Sequence, residues 1–357
     1  MNEYIHSPLQ MAMDNPVLHS FISYLAEKKQ ELEDSPDSHI KLQLNRELIW
    51  RVRQAFRQNI LDGERHLHAL AHLLATHLLD AEFDLHSNVI GVLPDGDRPF
   101  LIRERIAQET LLSVLDIDLG NHLLDNFRYQ RNRAWLPLEL SANFVEYIPR
   151  KETSSKVNRL TSRVKAEEEL WNKVADELFH LDELVSRDKH LRQYSKFVKD
   201  IFGIKIVCEN EEVCLAVHEM LKSITIADPI WDKLPDFAAA GEQIDETEQL
   251  LEFLETKDYL TCSPNEMKKT GWKAIKSVVK WHERLFELQV QPLGNYYLEL
   301  DHMSGPSHSS FKSQRDRLRD EVSLVVPLYG FYRKLLQMLF LGGDASFEYD
   351  KASVEIV

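Results

Sequence analysis

The sequence predicts an α/β fold, in which a mixed sheet flanked by helices follows a mainly helical N-terminal region. Leucine and other apolar residues recur at helical spacing over residues 42–56 and again over 67–79. From about residue 155, β-branched runs that are typical of strands alternate with helix-like segments. The clearest example is the run Gly203–Cys208, which is followed by a helical pattern over Glu211–Leu221.

Two prolines and a polar segment mark a boundary within the chain. Pro137 and Pro149 interrupt the helical pattern, and the polar run 151–156 is typical of a linker. We therefore expect a mainly helical domain over residues 1–150, a second domain over residues 151–343 and a tail over residues 344–357. The first domain carries no set of residues suited to acid–base chemistry. We therefore expect it to regulate the second domain or to recruit a partner or substrate to it.

The individual elements follow from local patterns. Residues 88–102 alternate around Pro94-Asp-Gly, which predicts a β-hairpin, and helical spacing resumes over 103–124. In the second domain we expect strands near 159–165, 203–208, 277–281 and 285–290, and helices over 167–178, 181–198, 211–221, 296–302 and part of 311–341. The strands at 277–281 and 285–290 are expected to pair antiparallel, and residues 353–357 can add an edge strand.

Composition narrows the class of protein. The 357 residues include 43% hydrophobic and 28% charged residues, which is ordinary for a soluble chain of two domains. The net charge of -15 argues against broad, non-specific binding of nucleic acid. Basic residues nevertheless gather around residues 159–173 and 268–276, which indicates either a focused polyanion pocket or solvated helix faces.

Several features of the sequence favour a cytoplasmic location. No apolar run is long enough for a membrane span, so no membrane partner is expected. The amino terminus lacks the basic and apolar regions of a secretory signal. The three cysteines show no zinc-like pairing, and a reducing compartment fits them.

Two carboxylates are candidates for chemistry. Asp200 opens a strand-like apolar run, and Glu287 lies inside another, 285–291. Carboxylates held rigidly on two strands are the minimum for metal-assisted phosphoryl transfer. The alternative for Asp200 is an ordinary cap or turn residue.

Short blocks of basic, acidic and aromatic residues occur in a fixed order between about residues 155 and 320. They are Ser162-Arg163-Val-Lys165, Trp171-Asn-Lys173, Asp200 with its strand, Lys257-Asp-Tyr259-Leu, Gly271-Trp272-Lys273-Ala-Ile275-Lys276, Phe286-Glu287-Leu-Gln289 and His308-Ser-Ser-Phe311-Lys312. This order resembles the synthetase domain of the RelA/SpoT family, which makes the alarmones ppGpp and pppGpp. The resemblance implies a nucleotidyltransferase-like fold for the second domain.

The resemblance also implies a reaction and its partners. ATP would donate pyrophosphate to a nucleotide 3′-hydroxyl, with GDP or GTP as acceptor, as in the stringent response. Toxin-type relatives modify the 3′ end of tRNA instead, which leaves tRNA as an alternative acceptor and an antitoxin or regulatory protein as an alternative partner. A weak or inactive relative that acts by binding is the second alternative. A homo-oligomer also stays open.

Roles for single residues follow from the same resemblance. Asp200 would hold Mg²⁺, and Glu287, supported by Gln289, would share the metal or take the hydroxyl proton, so we expect the two carboxylates to converge on adjacent strands. Trp272 would stack on the acceptor base. The expected donor phosphate ligands are Arg163, Lys165 and Lys173, and the expected acceptor ligands are Gly271, Trp272, Lys276, His308 and Lys312.

The chain also departs from the family pattern. Glu169 stands in place of serine, Lys276 in place of histidine, Trp272 in place of tyrosine, and Lys205 and Gln291 each in place of arginine. Glu169 and Lys276 keep the inactive alternative open, whereas retention of Asp200 and Glu287 favours an enzyme.

Five histidines between residues 66 and 86 suggest a metal site at first sight. His68 and His72 share a helix face, but no His-Glu-x-x-His motif and no His-Asp dipeptide occurs. A structural role is therefore favoured for them, and a hydrolase domain of the kind found in long alarmone enzymes is not expected.

Overall fold

The computed structural model describes residues 15–35, 39–92, 99–113, 129–131, 133–136, 139–164, 175, 202–225, 249–262, 272–282, 284–303, 319–320, 322–324, 328–341, 348–349 and 352–356. The chain forms two compact units. Unit 1 combines Met1–Asp62, Lys165–Lys199 and Ser309–Val357, and unit 2 combines Gly63–Val164 and Asp200–His308.

The helices and strands are numbered here in chain order. They are α1 (Pro16–Asp34), β1 (Ile40–Leu44), α2 (Arg46–Leu78), β2 (Phe83–Val92), β3 (Pro99–Ile106), α3 (Gln108–Ser113), β4 (Tyr129–Arg131), β5 (Ala134–Leu136), β6 (Glu139–Pro149), β7 (Val157–Val164), β8 (Phe202–Cys208), α4 (Glu211–Ser223), β9 (Glu252–Asp258), β10 (Ile275–Trp281), β11 (Arg284–Pro292), α5 (Leu293–Met303), α6 (Tyr329–Leu341), β12 (Glu348–Tyr349) and β13 (Ala352–Ile356). No helix in this described part of the chain is long and apolar enough to cross a membrane.

Unit 1 contains a small sheet and packed helices. Its strands run in the order β1-β13-β12, with β13 parallel to β1 and antiparallel to β12. The tail was expected to lack structure or to add an edge strand, whereas β13 lies between two neighbours. Asn15 caps α1, because its side-chain oxygen accepts from the backbone N–H of Val17 and Leu18. The Tyr332 hydroxyl of α6 donates to the Leu25 carbonyl of α1 over 2.7 Å.

Unit 2 is built on an eight-stranded mixed sheet in the order β3-β2-β6-β7-β8-β11-β10-β9. The β8–β11 pair is parallel, and the other neighbours are antiparallel. This sheet, flanked by helices, confirms the predicted fold class. The predicted hairpin is confirmed as β2 paired with β3, and the predicted antiparallel pair is confirmed as β10 with β11.

The expected boundary at residue 150 differs from the observed division. The strands β2, β3 and β6 come from the region expected to be a mainly helical domain, yet they extend the same sheet as β7 and β8. The reason is that β6 pairs with β7 across residue 150, so the polar turn there joins neighbouring strands instead of separating domains. The helix expected over 103–124 is also wrong in part, since residues up to Ile106 belong to β3. A chain cut at Lys151 would lose three strands of the sheet.

The two faces of this sheet differ in polarity. Side chains alternate along a strand, so Ile204, Ile206 and Cys208 of β8 share one face. Helix α4 covers that face with Cys214, Val217, His218 and Leu221, which are buried. The His218 imidazole lies 3.1 Å from the hydroxyl of Ser277 on β10. The opposite face carries charged and amide side chains at its centre and contacts α5.

A glycine allows α2 to pack closely on β8. A Cβ atom built on Gly63 would lie 2.1 Å from the Phe202 ring, closer than atoms can approach. We expect Gly63→Ala to lower the free energy of unfolding by about 1–3 kcal/mol, because the buried ring must shift. Gly294→Ala in α5 is the matched control, because no atom of the described residues lies within 4 Å of its Cβ position. That variant should be neutral or more stable in urea denaturation. An equal change in both variants would contradict close packing at Gly63.

Candidate functional site

The polar face of the sheet brings several of the predicted site residues together. Gly203 of β8 lies opposite Arg163 of β7 on one side and opposite Glu287 of β11 on the other. One step further along, Lys205 lies opposite Gln289, and Gln289 lies opposite Lys276 of β10. Directly opposed residues share a face, so all of these side chains belong to one surface.

Glu287 is a buried carboxylate with two nitrogen partners. Its residue surface is 4% exposed. The Lys276 ammonium forms an ion pair with Oε2, and the Gln289 amide donates a hydrogen bond to Oε1. An isolated carboxylate would be costly to bury, and these two partners offset that cost and fix its orientation.

Gly203 leaves an opening between Arg163 and Glu287. Among the described residues, the Arg163 carbonyl oxygen is the only atom within 4 Å of a Cβ atom built on Gly203, at 3.9 Å. Neighbouring strands lie about 4.8 Å apart, so the backbones of Arg163 and Glu287 are separated by roughly 10 Å across the glycine. The Arg163 Nε atom is buried and has no hydrogen-bond acceptor among the described residues. This N–H group is a candidate donor to an anion that enters the opening.

A second carboxylate, Glu299 of α5, is half-buried and lies over the same face. It accepts hydrogen bonds from the Trp272 indole N–H at 2.6 Å and from the Gln291 amide at 3.0 Å, and it pairs with the Lys205 ammonium at 2.6 Å. Burial opposes ionisation of this carboxyl, but the Lys205 charge and the three hydrogen bonds outweigh it and lower the pKa of Glu299. Glu299 is therefore a fixed anion.

The segment that carries Trp272 is tied to α5 at a second point. The Lys273 backbone N–H donates to the Asn295 side chain at 3.1 Å, and the Asn295 amide donates to Gln291 at 2.7 Å. The Trp272 and Tyr259 rings meet edge-on, with centroids 5.6 Å apart. Trp272 is half-buried, so part of its surface is open to solvent. Its stacking on an acceptor base stays a prediction.

A third carboxylate, Glu146 of β6, is buried and lies on the part of this face contributed by the N-terminal strands. It accepts from the Arg159 guanidinium at 2.9 Å, from the Tyr296 hydroxyl at 2.7 Å and from the Asn88 amide at 3.1 Å. Burial acts against the charge of Arg159, but Glu146 outweighs it and raises the pKa of Arg159. The Arg159 guanidinium also lies over the Tyr296 ring, 5.0 Å from its centroid. This network joins α5 to strands β2, β6 and β7.

Only some of the predicted site residues lie in the part of the chain that the structure describes. The structure brings Arg163, Glu287, Gln289 and Lys276 onto one surface, with Trp272 beside it. The predicted residues Lys165, Lys173, Asp200, Gly271, His308 and Lys312 lie outside the described residues. The expected convergence of Asp200 and Glu287 therefore stays a prediction. Sequence reasoning missed Glu146 and Glu299, and the only local signal was an acidic residue within an apolar run.

The described residues do not by themselves fit a Mg²⁺ site. Magnesium requires several oxygen ligands in near-octahedral geometry. Glu287 is the carboxylate at the opening beside Gly203, and both of its oxygens contact nitrogen groups. Within the described part of the chain, no group of three or more His, Cys, Asp or Glu side chains could hold a metal ion.

The histidines of α2 have contacts of a structural kind. His68 is buried, with its imidazole 3.4 Å from the Glu64 carboxylate one turn earlier. His66 packs edge-on against Trp281, and His72 packs edge-on against Phe83. These contacts seat the second half of α2 on the sheet.

Comparison with known proteins gives structural similarities of low score. No protein-family model matches the sequence, and no curated protein matches it. Small alarmone synthetase 1 from Bacillus subtilis, solved with its product pppGpp, is 15% identical over 52% of this chain and 77% of its own, with a TM-score of 0.25. A GTP pyrophosphokinase family protein from Streptococcus pneumoniae is 12% identical over 52% of this chain and 72% of its own, with a TM-score of 0.24. Protein smu.1046c from Streptococcus mutans UA159 is 14% identical, covers 52% and 74%, and has a TM-score of 0.26. Because these TM-scores are low, the function of the site is argued from its own contacts.

Proposed function

We propose that the polar face of the sheet transfers pyrophosphate from ATP to the 3′-hydroxyl of a guanine nucleotide, GDP or GTP, to give (p)ppGpp. The observation that carries the proposal is the arrangement around Gly203. A buried carboxylate held by Lys276 and Gln289 lies on the same face as Arg163, across Gly203. Among the described residues, the Arg163 Nε–H has no acceptor, and the space beside Gly203 is open. The order of sequence blocks that resembles the RelA/SpoT synthetases supports the same reaction.

Each group has a chemical task in this reaction. The acceptor hydroxyl donates a hydrogen bond to Glu287, which takes its proton as the 3′-oxygen bonds to the β-phosphorus of ATP. The bond from that phosphorus to the oxygen it shares with the α-phosphate breaks, and AMP leaves. Arg163 binds phosphate oxygens through charge-assisted hydrogen bonds. Lys276 compensates the negative charge of Glu287, and Gln289 fixes the orientation of the carboxylate.

The donor side of the proposal is tested by Arg163→Met. Methionine keeps the length of the side chain but removes its charge and its N–H donors. Hydrogen bonds to charged groups contribute roughly 1.5–3 kcal/mol, so we expect ATP affinity to fall by about tenfold or more. Isothermal titration calorimetry with a non-hydrolysable ATP analogue measures the change.

A second arginine of the same sheet supplies the control for that experiment. Arg105 lies at the exposed edge on β3 and already pairs with Asp84 at 2.6 Å. Arg105→Met should leave affinity for the analogue unchanged. If both variants lost affinity equally, or if neither did, Arg163 would not be a donor ligand.

A further inference from the structure

Three departures from the family pattern meet at one carboxylate. Lys205 and Gln291 stand in place of arginines and Trp272 in place of a tyrosine, and all three contact Glu299. They come from three separate segments: β8, β11 and the approach to β10. Since all three side chains contact the Glu299 carboxylate, the three departures are linked in one network of contacts. We call these four residues the Glu299 unit.

This unit holds the indole of Trp272 in one orientation. An indole has a single hydrogen-bond donor, so a bond from its N–H to a fixed oxygen restricts rotation of the ring. The oxygen is fixed because Lys205 and Gln291 both contact the other oxygen of Glu299, Oε2. A tryptophan at this position lacks the hydroxyl of a tyrosine, and its indole N–H is the group that anchors the ring to Glu299.

The unit also lies at the proposed site. Lys205 is two residues along β8 from Gly203, which is about 7 Å on the same face. Gln291 is likewise two residues along β11 from Gln289, a partner of Glu287. A nucleotide whose phosphates or ribose lie at the opening beside Gly203 can therefore direct its base toward Trp272.

We propose that Glu299 is a positioning residue, which orients the Trp272 indole so that the ring stacks on the purine base of the acceptor. The identity of the acceptor rests on the proposed function. Glu299 itself touches no substrate, and its effect is transmitted through the indole N–H. Removing it should weaken binding of the acceptor and leave binding of ATP unchanged.

The test is a double-mutant cycle read by calorimetric binding of GDP, with ATP as the second ligand. Glu299→Leu should raise the Kd for GDP about tenfold, because a mobile ring loses part of its stacking. Glu299→Gln retains an acceptor oxygen and should recover part of the loss. In a Trp272→Phe background, which has no indole N–H, Glu299→Leu should change the Kd for GDP by less than about twofold.

A neighbouring carboxylate provides the control. Glu211 of α4 pairs with the ammonium of Lys273, the residue that follows Trp272, at 2.7 Å. Unlike Glu299, Glu211 is exposed. Glu211→Leu should leave the Kd for both nucleotides unchanged. If Glu299→Leu does not fold, the cycle with Glu299→Gln decides the same question. A full effect of either Glu299 variant in the Trp272→Phe background, or equal weakening of GDP and ATP, would overturn the positioning role.

These binding measurements separate the inference from the proposed function. If the chain transfers pyrophosphate but its affinity for GDP does not depend on Glu299, the proposed function stands and the positioning role is wrong. If the chain transfers no pyrophosphate but its affinity for GDP depends on Glu299 as described, the positioning role stands and the proposed function is wrong. A wild-type chain that binds neither GDP nor GTP would overturn both.

Discussion

Glu287→Gln is expected to slow pyrophosphate transfer by about 10²–10⁴-fold, because an amide cannot take the proton of the attacking hydroxyl. The amide has the shape of the carboxylate, so it can still contact Gln289 and Lys276. Affinity for ATP should therefore change little. Single-turnover transfer from labelled ATP, with binding measured separately, distinguishes a chemical role from a binding role.

The matched control is an ion pair on the adjoining part of the sheet. Glu255 of β9 pairs with Lys257 at 2.6 Å, but both side chains are about half exposed. Glu255→Gln should transfer pyrophosphate at the wild-type rate. If Glu287→Gln kept full activity, or lost ATP binding in proportion to rate, Glu287 would not be the proton acceptor.

Glu146→Ala is expected to have the largest effect on stability. The substitution leaves the mostly buried Arg159 guanidinium without its carboxylate and removes the acceptor of the Tyr296 hydroxyl. Breaking a buried ion pair by removing one partner costs about 3–5 kcal/mol of unfolding free energy. Urea denaturation measures the loss, and hydrogen exchange of the β6 and β7 amides assigns it to this sheet.

Two further variants make this stability prediction specific. Glu82→Ala removes an exposed pair with Lys151, and it should cost far less because water compensates both charges. The double variant Glu146→Ala/Arg159→Met should be more stable than Glu146→Ala alone, since it no longer buries an unpaired cation. A loss in Glu146→Ala no greater than that in Glu82→Ala would show that the buried network does not stabilise the sheet.

Local patterns predicted the elements of the sheet centre but not the division of the chain. Strands β7, β8, β10 and β11 and helix α4 were predicted because apolar periodicity records which face of an element is buried. The error at residue 150 arose because sheet membership depends on pairing between distant segments. Strand β2 pairs with β6 over more than forty intervening residues, and nothing in either strand alone specifies that partner.

The candidate site was likewise predicted only in part from the sequence. Motif order indicated Arg163, Lys276, Glu287 and Gln289, and the register of four strands places them on one face. Glu299 was missed because its cation, Lys205, is 94 residues away in sequence. The separation of Glu146 from Tyr296 is 150 residues. Such pairs depend on tertiary structure, and a lone acidic residue in an apolar run is the only trace that they leave in the sequence.

The most direct measurement is transfer of label from ATP carrying ³²P at its β-phosphate, with GDP, GTP and tRNA offered separately to the purified full-length chain. We expect labelled ppGpp from GDP or labelled pppGpp from GTP, formed together with AMP and lost in Glu287→Gln. Label on the 3′ end of tRNA alone would keep the chemistry but contradict the guanine nucleotide acceptor. Absence of transfer to all three acceptors, from a folded chain supplied with Mg²⁺, would contradict the account as a whole.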